Sequence, residues 1–175
     1  MNKAKSNFGG PCGGNTGAIF HAASSHLATL DAVQQSFLDH LGISSATAFL
    51  KYNFAPLRLR RDISALGLLH KVNLATCHPA FHDLFPKHDG RAARYRTRDN
   101  SRLHNKTLLD RSSDAHLNSM KRSLFAAVRI YNRLPQSTVD KLTVSAFQHD
   151  LTASARDECR KGHPKWIDLY RSRPS

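Results

Sequence analysis

The chain has 175 residues and a formal net charge of +13 at pH 7, because 26 Lys and Arg face only 13 Asp and Glu. This length predicts a single domain that can bury a core, and the basic excess favours an anionic partner, either nucleic acid or an acidic surface. Three scattered cysteines argue against a disulfide framework, and no apolar run approaches the roughly 18 residues that cross a bilayer. We therefore expect an intracellular chain, nuclear or cytoplasmic, with no membrane partner.

Residues 1–25 are predicted to be a flexible lead-in, since they are rich in glycine and lack apolar periodicity. Residues 1–50 contain two Lys and two Asp, so all thirteen net charges lie after residue 50. Residues 26–175 are predicted to form one helical domain.

The first predicted helix runs from Leu30 to Leu41, with Thr29 as its N-terminal cap and Gly42 as its end. Its apolar residues recur at i, i+3, i+7 and i+11, which predicts an amphipathic helix with the stripe Leu30, Val33, Phe37 and Leu41. A second, short helix is predicted to start at Ser44 or Ser45.

The third predicted helix has the strongest pattern. Pro56 suits its first turn, and an apolar stripe follows: Leu59, Ile63, Leu66, Leu69 and Val72. Pro79 then opens a further turn with an aromatic cluster, Phe81, Leu84 and Phe85, which Pro86 stops.

Apolar periodicity disappears over residues 87–111, where eight Lys and Arg face three Asp. A stretch of this composition has few side chains that could anchor it in a core, so it predicts an exposed basic loop or loose hairpin between helices.

Helical patterns return near Asn118. Leu124, Val128 and Tyr131 share one face of a helix that ends close to Pro135, and Thr143 caps a final long helix that Gly162 closes. The apolar stripe of that long helix is Val144, Phe147, Leu151, Ala155 and Cys159. Pro164 begins a last short helix with Trp166, Leu169 and Tyr170. The predicted fold class is therefore mostly α, a small irregular helical domain with a basic loop inserted.

Four short sequence words occur in a characteristic order. They are Leu30-Asp31-Ala32-Val33-Gln34, Pro56-Leu57-Arg58-Leu59-Arg60-Arg61, Tyr131-Asn132-Arg133-Leu134-Pro135 and Ser145-Ala146-Phe147. Together they resemble the region downstream of the polymerase core in non-LTR (LINE-type) retrotransposon reverse transcriptases, over roughly residues 27 to 170. Tyr131 stands where that family usually has Trp.

The resemblance implies a role in holding nucleic acid during target-primed reverse transcription, with an upstream polymerase core as a further partner. It carries over no catalytic residue, because the aromatic-x-Asp-Asp turn of that family is absent and the sequence has no Asp-Asp dipeptide. The adjacent acidic pair Asp157-Glu158 is interpreted as a solvated surface rather than a two-metal site. The chain is therefore predicted not to be an enzyme by itself.

Basic residues around Tyr95 are the predicted contact with the RNA or DNA backbone, since guanidinium groups bind phosphates and a ring can stack on a base. The predicted nucleic-acid-binding residues are Arg91, Arg94, Tyr95, Arg96, Arg98, Arg102, Lys106, Arg60 and Arg61. Other cations extend this surface: Arg58, Lys121, Arg122, Arg129 and Arg133. A merely solvated charged loop is an equally common reading of such a stretch.

Other chemistry is weakly signalled. Cys77, His78, His82 and His88 offer ligand atoms for zinc, but no second pair stands at structural-zinc spacing. The glycines near residue 12 lack the Gly-Lys-Ser/Thr ending of a phosphate-binding loop. We therefore expect no cofactor, no metal and no small-molecule substrate.

Two further hypotheses stay open. The chain can be a helical protein-interaction module whose apolar stripes dock on a missing polymerase core, with its charge serving solubility. It can also be a decayed copy without a selected function.

Overall fold

The computed structural model describes residues 22–87, 104–110 and 123–171, and these ranges are mostly helical, as the periodicity predicts. They contain seven α-helices and one 3-10 turn, Trp166–Asp168. The helices are α1 Ser24–His40, α2 Ser45–Tyr52, α3 Leu57–Asn73, α4 Ala80–Leu84, α5 Leu124–Tyr131, α6 Gln136–Val139 and α7 Val144–Arg160.

The centre of the core is the packing of α3 against α7 and α5. The predicted α3 stripe is buried in full: Leu59, Ile63, Leu66, Leu69 and Val72. On α7 the predicted stripe is also buried from Phe147 to Cys159, while Val144 is half-buried. The 3.6-residue period thus identifies the inner faces of these two helices correctly.

Helix ends follow the predicted chemistry at most positions. Ser44 caps α2 by accepting a hydrogen bond from the Thr47 amide at 3.1 Å, and Thr143 caps α7 by accepting one from the Ala146 amide at 3.1 Å. Gly42 and Gly162 follow α1 and α7 at φ of +64° and +70°, the left-handed conformation that glycine adopts without strain. The predicted cap at Thr29 is wrong, because α1 begins at Ser24 and the Thr29 hydroxyl donates to the Ser25 carbonyl inside the helix.

The apolar stripe of α1 faces away from the body. Leu30, Val33, Phe37 and Leu41 are 48%, 64%, 55% and 54% exposed, whereas the buried residues of this helix are Leu27 and Leu38. Helix α1 instead contacts α3 partly through the polar side chains of Asp31 and Gln34. The predicted amphipathic pattern therefore exists, but its apolar side is not a core face in the described structure.

The C-terminal part of the predicted basic loop is anchored in the core. Leu108 is fully buried, His104 is 5% exposed, and Leu108 forms an isolated antiparallel bridge with Lys87. Within the predicted exposed loop or loose hairpin, exposure is therefore wrong at His104 and Leu108, which are buried because partners distant in sequence bind them, whereas Asn105 is exposed. Residues 88–103 and 111 lie outside the described residues, as do residues 1–21.

The C-terminal turn closes over α2 and α7. The Trp166 ring stacks on Phe49 with ring centroids 5.3 Å apart, and the buried Tyr170 hydroxyl donates to the Leu151 carbonyl at 3.0 Å. Leu169 is 37% exposed, so only two of the three apolar residues predicted for this segment are core residues. Within the ranges that the structure covers, no helix has both the length and the apolarity needed to cross a bilayer.

Candidate nucleic-acid interface

Three of the nine predicted nucleic-acid-binding residues are described: Arg60, Arg61 and Lys106. The other six lie outside the described residues: Arg91, Arg94, Tyr95, Arg96, Arg98 and Arg102. The structure therefore shows the helical body and the ends of the basic stretch, but not the stretch itself.

Arg60 and Arg61 are neighbours on α3 with different surroundings. The Arg61 guanidinium lies 2.8 Å from the Asp31 carboxylate on α1, and its side chain is only 13% exposed. Arg60 is exposed and forms no ion pair with an acidic residue of the described ranges. Of the two, Arg60 is the cation that a phosphate could reach without breaking an internal ion pair.

Lys106 holds parts of the body together. Its Nζ donates to the Val139 carbonyl at the end of α6 at 3.0 Å and lies 3.1 Å from the Asp140 carboxylate. Hydrogen bonds from Gln136 and then from Lys106 lower the pKa of Asp140. A lysine that satisfies the end of a helix and pairs with an acid has a structural role at this position.

The cations predicted to extend the surface are divided in the same way. Arg58 pairs with Asp168 at 2.6 Å and Arg129 lies 3.6 Å from Asp110, whereas Arg133 is exposed and has no acidic partner among the described residues. Lys121 and Arg122 lie outside the described ranges.

Charge is divided unequally between the described residues and the rest. The described residues contain 15 Lys and Arg with 10 Asp and Glu, and the others contain 11 Lys and Arg with 3 Asp. Eight ion pairs within the described part use seven of its ten acidic residues: Asp31, Asp110, Asp140, Asp150, Asp157, Glu158 and Asp168. The helical body thus neutralises most of its own cations.

The first two sequence words contact each other. Gln34 on α1 accepts a hydrogen bond from the Leu57 amide at 2.7 Å and donates to the Ala55 carbonyl at 3.1 Å. It thereby caps the first turn of α3, whose own N-cap residue, Pro56, offers no side-chain hydrogen bond. The Asp31–Arg61 ion pair joins the same two words one turn away.

The third and fourth words meet in a buried polar network. The Tyr131 hydroxyl lies 3.0 Å from His70 Nδ1 and accepts a hydrogen bond from the Asn73 amide at 3.0 Å. Phe147 stacks on the His70 ring with centroids 4.1 Å apart. Trp could not replace Tyr131 in this network, because an indole N–H donates but cannot accept from Asn73.

The partners of the two buried histidines determine their tautomers. His70 Nε2 lies 2.9 Å from the Lys141 carbonyl, so Nε2 carries the proton and Nδ1 accepts from Tyr131. His104 Nε2 likewise donates to the Tyr131 carbonyl at 2.9 Å, and its Nδ1 accepts from the Lys106 amide at 3.1 Å. Both rings are therefore neutral in this arrangement.

Burial lowers the pKa of His70 and His104 below the ordinary value of 6.5, although the hydrogen bonds to Lys141 and Tyr131 oppose the shift. Burial also raises the pKa of Tyr131 to about 12, and the hydrogen bond from Asn73 opposes that shift. At neutral pH none of these three groups is charged, which fits the donors and acceptors described above.

Asn132 binds the segment that leads out of the basic stretch. Its Oδ1 accepts from the Leu108 amide at 2.9 Å and its Nδ2 donates to the Leu108 carbonyl at 2.8 Å. The third word thus has a structural role, because Asn132 satisfies the backbone of Leu108. No sequence pattern indicates His70, Asn73 or His104, since the partners that place them in the core lie between 27 and 71 residues away.

The other candidate chemistry has little support from the geometry. Cys77 Sγ lies 3.7 Å from His82 Nε2, His88 is outside the described residues, and no group of three or more potential ligands within the described ranges could hold a metal ion. Asp157 and Glu158 pair with Arg160 at 2.9 Å and Lys161 at 2.6 Å. This agrees with the interpretation of the acidic pair as a surface feature.

Comparisons of this chain with protein families, with curated proteins and with solved structures found no match.

Proposed function

We propose that this chain is a noncatalytic nucleic-acid-binding module that contacts the backbone of template RNA or target DNA. The resemblance to the region downstream of a LINE-type polymerase core suggests the context, and the charge distribution carries the physical argument. The module holds nucleic acid, and a separate polymerase core performs the chemistry.

The distribution of acidic partners is the single observation on which the proposal rests. Seven of the ten acidic residues in the described ranges form ion pairs with cations of those same ranges. The rest of the chain contains 11 Lys and Arg but only three acidic residues, all of them Asp. Most of the excess charge must therefore be balanced by external anions, and a polyanion gains affinity by releasing its own counterions.

The described residues indicate where the basic stretch joins the body. Lys87 bridges to Leu108, and Leu108 is bound by Asn132, so these two residues of the basic stretch lie near the end of α5. Phosphate contacts made there are independent of base sequence, because such contacts position a nucleic acid without reading it.

A salt titration tests the proposal. RNA and duplex DNA are titrated into the full chain from about 50 to about 300 mM salt, and about five phosphate contacts predict a log–log slope near −4 to −5 on duplex DNA. Changing Arg94, Arg96 and Arg98 together to Gln should make the slope shallower by about 3. Absent or salt-independent binding contradicts the proposal.

Arg60 and Arg61 provide a matched pair for the same assay. Arg60→Gln is expected to weaken binding and make the salt slope shallower by about 1, with unfolding unchanged. Arg61→Gln removes the ion pair with Asp31, so it should lower stability by about 0.5–1 kcal/mol and leave the slope unchanged. Equal effects of the two changes on binding would show that Arg60 has no special role.

A further inference from the structure

Six of the ten exposed large apolar side chains in the described ranges lie on α1 or in the segment that follows it, residues 41–54. Leu30, Val33 and Phe37 of α1 form an outer apolar face together with Leu41, the C-terminal cap of α1, and Tyr52 and Phe54 at the end of α2, 56% and 38% exposed, extend it. Phe37 and Phe54 lie in contact distance, with ring centroids 6.3 Å apart. We call this set the α1 face: Leu30, Val33, Phe37, Leu41, Tyr52 and Phe54.

We propose that the α1 face binds the α1 face of a second copy of this chain, which forms a two-fold dimer. Helix α1 is attached to the body partly through polar contacts. Its contacts with α3 include Gln34 bonded to the Leu57 backbone and Asp31 paired with Arg61, so the apolar stripe is held outward by specific contacts. The outward stripe is thus a consequence of how α1 docks.

The spacing of the stripe suits self-association. Residues 30, 33 and 37 follow the 3–4 alternation of a helix-pairing seam. In an antiparallel pair, Leu30 lies opposite Leu41 and Val33 opposite Phe37, so each apolar residue meets another, and the smaller Val33 faces the larger Phe37. A two-fold interface needs this self-complementarity, because both subunits present the same patch.

The helical part of this face is low in positive charge, which favours contact between two copies of a +13 chain, and the cation at its edge is Lys51, which lies 5.3 Å from the centre of the Tyr52 ring. Residues 22–50 contain no Lys or Arg, and their acidic residues are Asp31 and Asp39. Two copies that meet through α1 therefore bring few cations against each other.

The area of the α1 face indicates the strength of the dimer. Its exposed apolar surface is on the order of 600 Å², the upper end for a patch on a monomer. A standard stable interface buries about 800 Å² per partner, so polar residues at the rim must contribute the rest. We expect a dissociation constant in the micromolar range rather than an obligate dimer.

Sedimentation equilibrium on the full chain, from about 1 to about 300 µM in about 0.5 M salt, tests the proposal. The wild type should dimerise reversibly, and Val33→Glu should weaken dimerisation at least about tenfold, because it buries a charge in the seam. The control is Leu142→Glu, at an apolar residue that is 84% exposed and outside the α1 face, and it should leave dimerisation unchanged. Circular dichroism checks that both variants keep the helical fold.

Two outcomes would overturn the proposal. A wild type that stays monomeric at every concentration would assign the α1 face to another partner, such as a polymerase core. A Val33→Glu variant that dimerises as well as the wild type would place the contact elsewhere. High salt separates this test from the nucleic-acid proposal, because phosphate contacts weaken steeply with salt whereas apolar contacts do not.

Discussion

At the scale of single residues, the buried polar network is the most specific feature of this fold. His70, fully buried, joins the Tyr131 hydroxyl to the Lys141 carbonyl, and Asn73 joins the same hydroxyl to the Lys106 carbonyl at 3.0 Å. Four chain segments thus depend on one set of donors and acceptors. Buried polar groups of this kind stabilise when every member is paired and destabilise when one loses its partner.

The network predicts that the protein loses stability in weak acid. The folded pKa of His70 and of His104 lies below the unfolded value of about 6.5, so the unfolded chain binds more protons as pH falls through that value. Their contribution is fully present above about pH 7 and is lost below about 6.5. The lowered pKa of Asp140 acts only at more acidic pH, near the ordinary value of a carboxyl group.

Urea unfolding between about pH 7.5 and about pH 5 measures this effect. The wild type should keep its unfolding free energy down to about pH 7 and then lose it progressively as the pH falls further. His104→Gln removes one titrating ring and should give a smaller decrease, from a lower starting stability. The exposed His149 provides the control, since His149→Gln should leave the pH dependence of the wild type unchanged. A pH-independent wild type would show that the two rings titrate normally in the folded state.

At the scale of elements, one side chain, Gln34, both attaches α1 to α3 and caps the first turn of α3. Gln34 supplies the only side-chain acceptor that the structure shows at the first turn of α3, where it binds the Leu57 amide. A helix start that loses its acceptor leaves a backbone amide without a protein partner. The contact also fixes the rotation of α1 and therefore the outward direction of Leu30, Val33 and Phe37.

Gln34→Ala is expected to lower the unfolding free energy by about 1–2 kcal/mol, because it removes one hydrogen bond to the Leu57 amide and one to the Ala55 carbonyl. The adjacent Gln35 provides the control. Its side chain is exposed and bonds Asp39 and Ser45, so Gln35→Ala should cost no more than about 0.5 kcal/mol. Chemical denaturation of both variants measures the difference, and equal losses would contradict the capping role of Gln34.

Sequence patterns predicted where helices occur better than they predicted which side of each helix is buried. The α3 stripe was identified residue by residue, because a helix at the centre of the core must bury its apolar side. The same pattern on α1 did not reveal its direction, since periodicity defines a stripe but not the neighbour that covers it. Helix α6, four residues long, has too short a sequence to show a period.

The sequence alone could not predict which cations of the candidate site are free to bind phosphate, because their internal partners are distant in the sequence. Arg60 and Arg61 look equivalent in the sequence, and only the position of Asp31, 30 residues earlier, separates them. Lys106 belongs to a basic stretch by composition, yet the Val139 carbonyl, 33 residues later, makes it part of the body. Charge counts predict that a chain binds anions, but the tertiary structure decides which cations are free to do so.

At the scale of the whole molecule, the described body has a central part and a peripheral helix. Helices α3, α5 and α7 share the core, and the segment around Leu108 is bound to them through Asn132 and Asn73. Helix α1 contributes only Leu27 and Leu38 as buried side chains. Segments with few buried apolar contacts open at a lower free energy than the core does.

Hydrogen exchange should therefore rank α1 below the core. We expect the α1 amides to exchange at least about tenfold faster than those of α7, because α1 can detach by breaking a few polar contacts while α7 exchanges only when the core opens. The experiment uses the Val33→Glu variant at low concentration, so that dimerisation does not slow exchange in α1. Mass spectrometry of peptides from each helix gives the exchange rates. The Leu108 amide is expected to exchange as slowly as α7, although it lies outside any helix, since Asn132 holds it in the core. Equal protection of α1 and α7 would instead require that the contacts of Gln34 and Asp31 bind α1 as firmly as the apolar core binds α7.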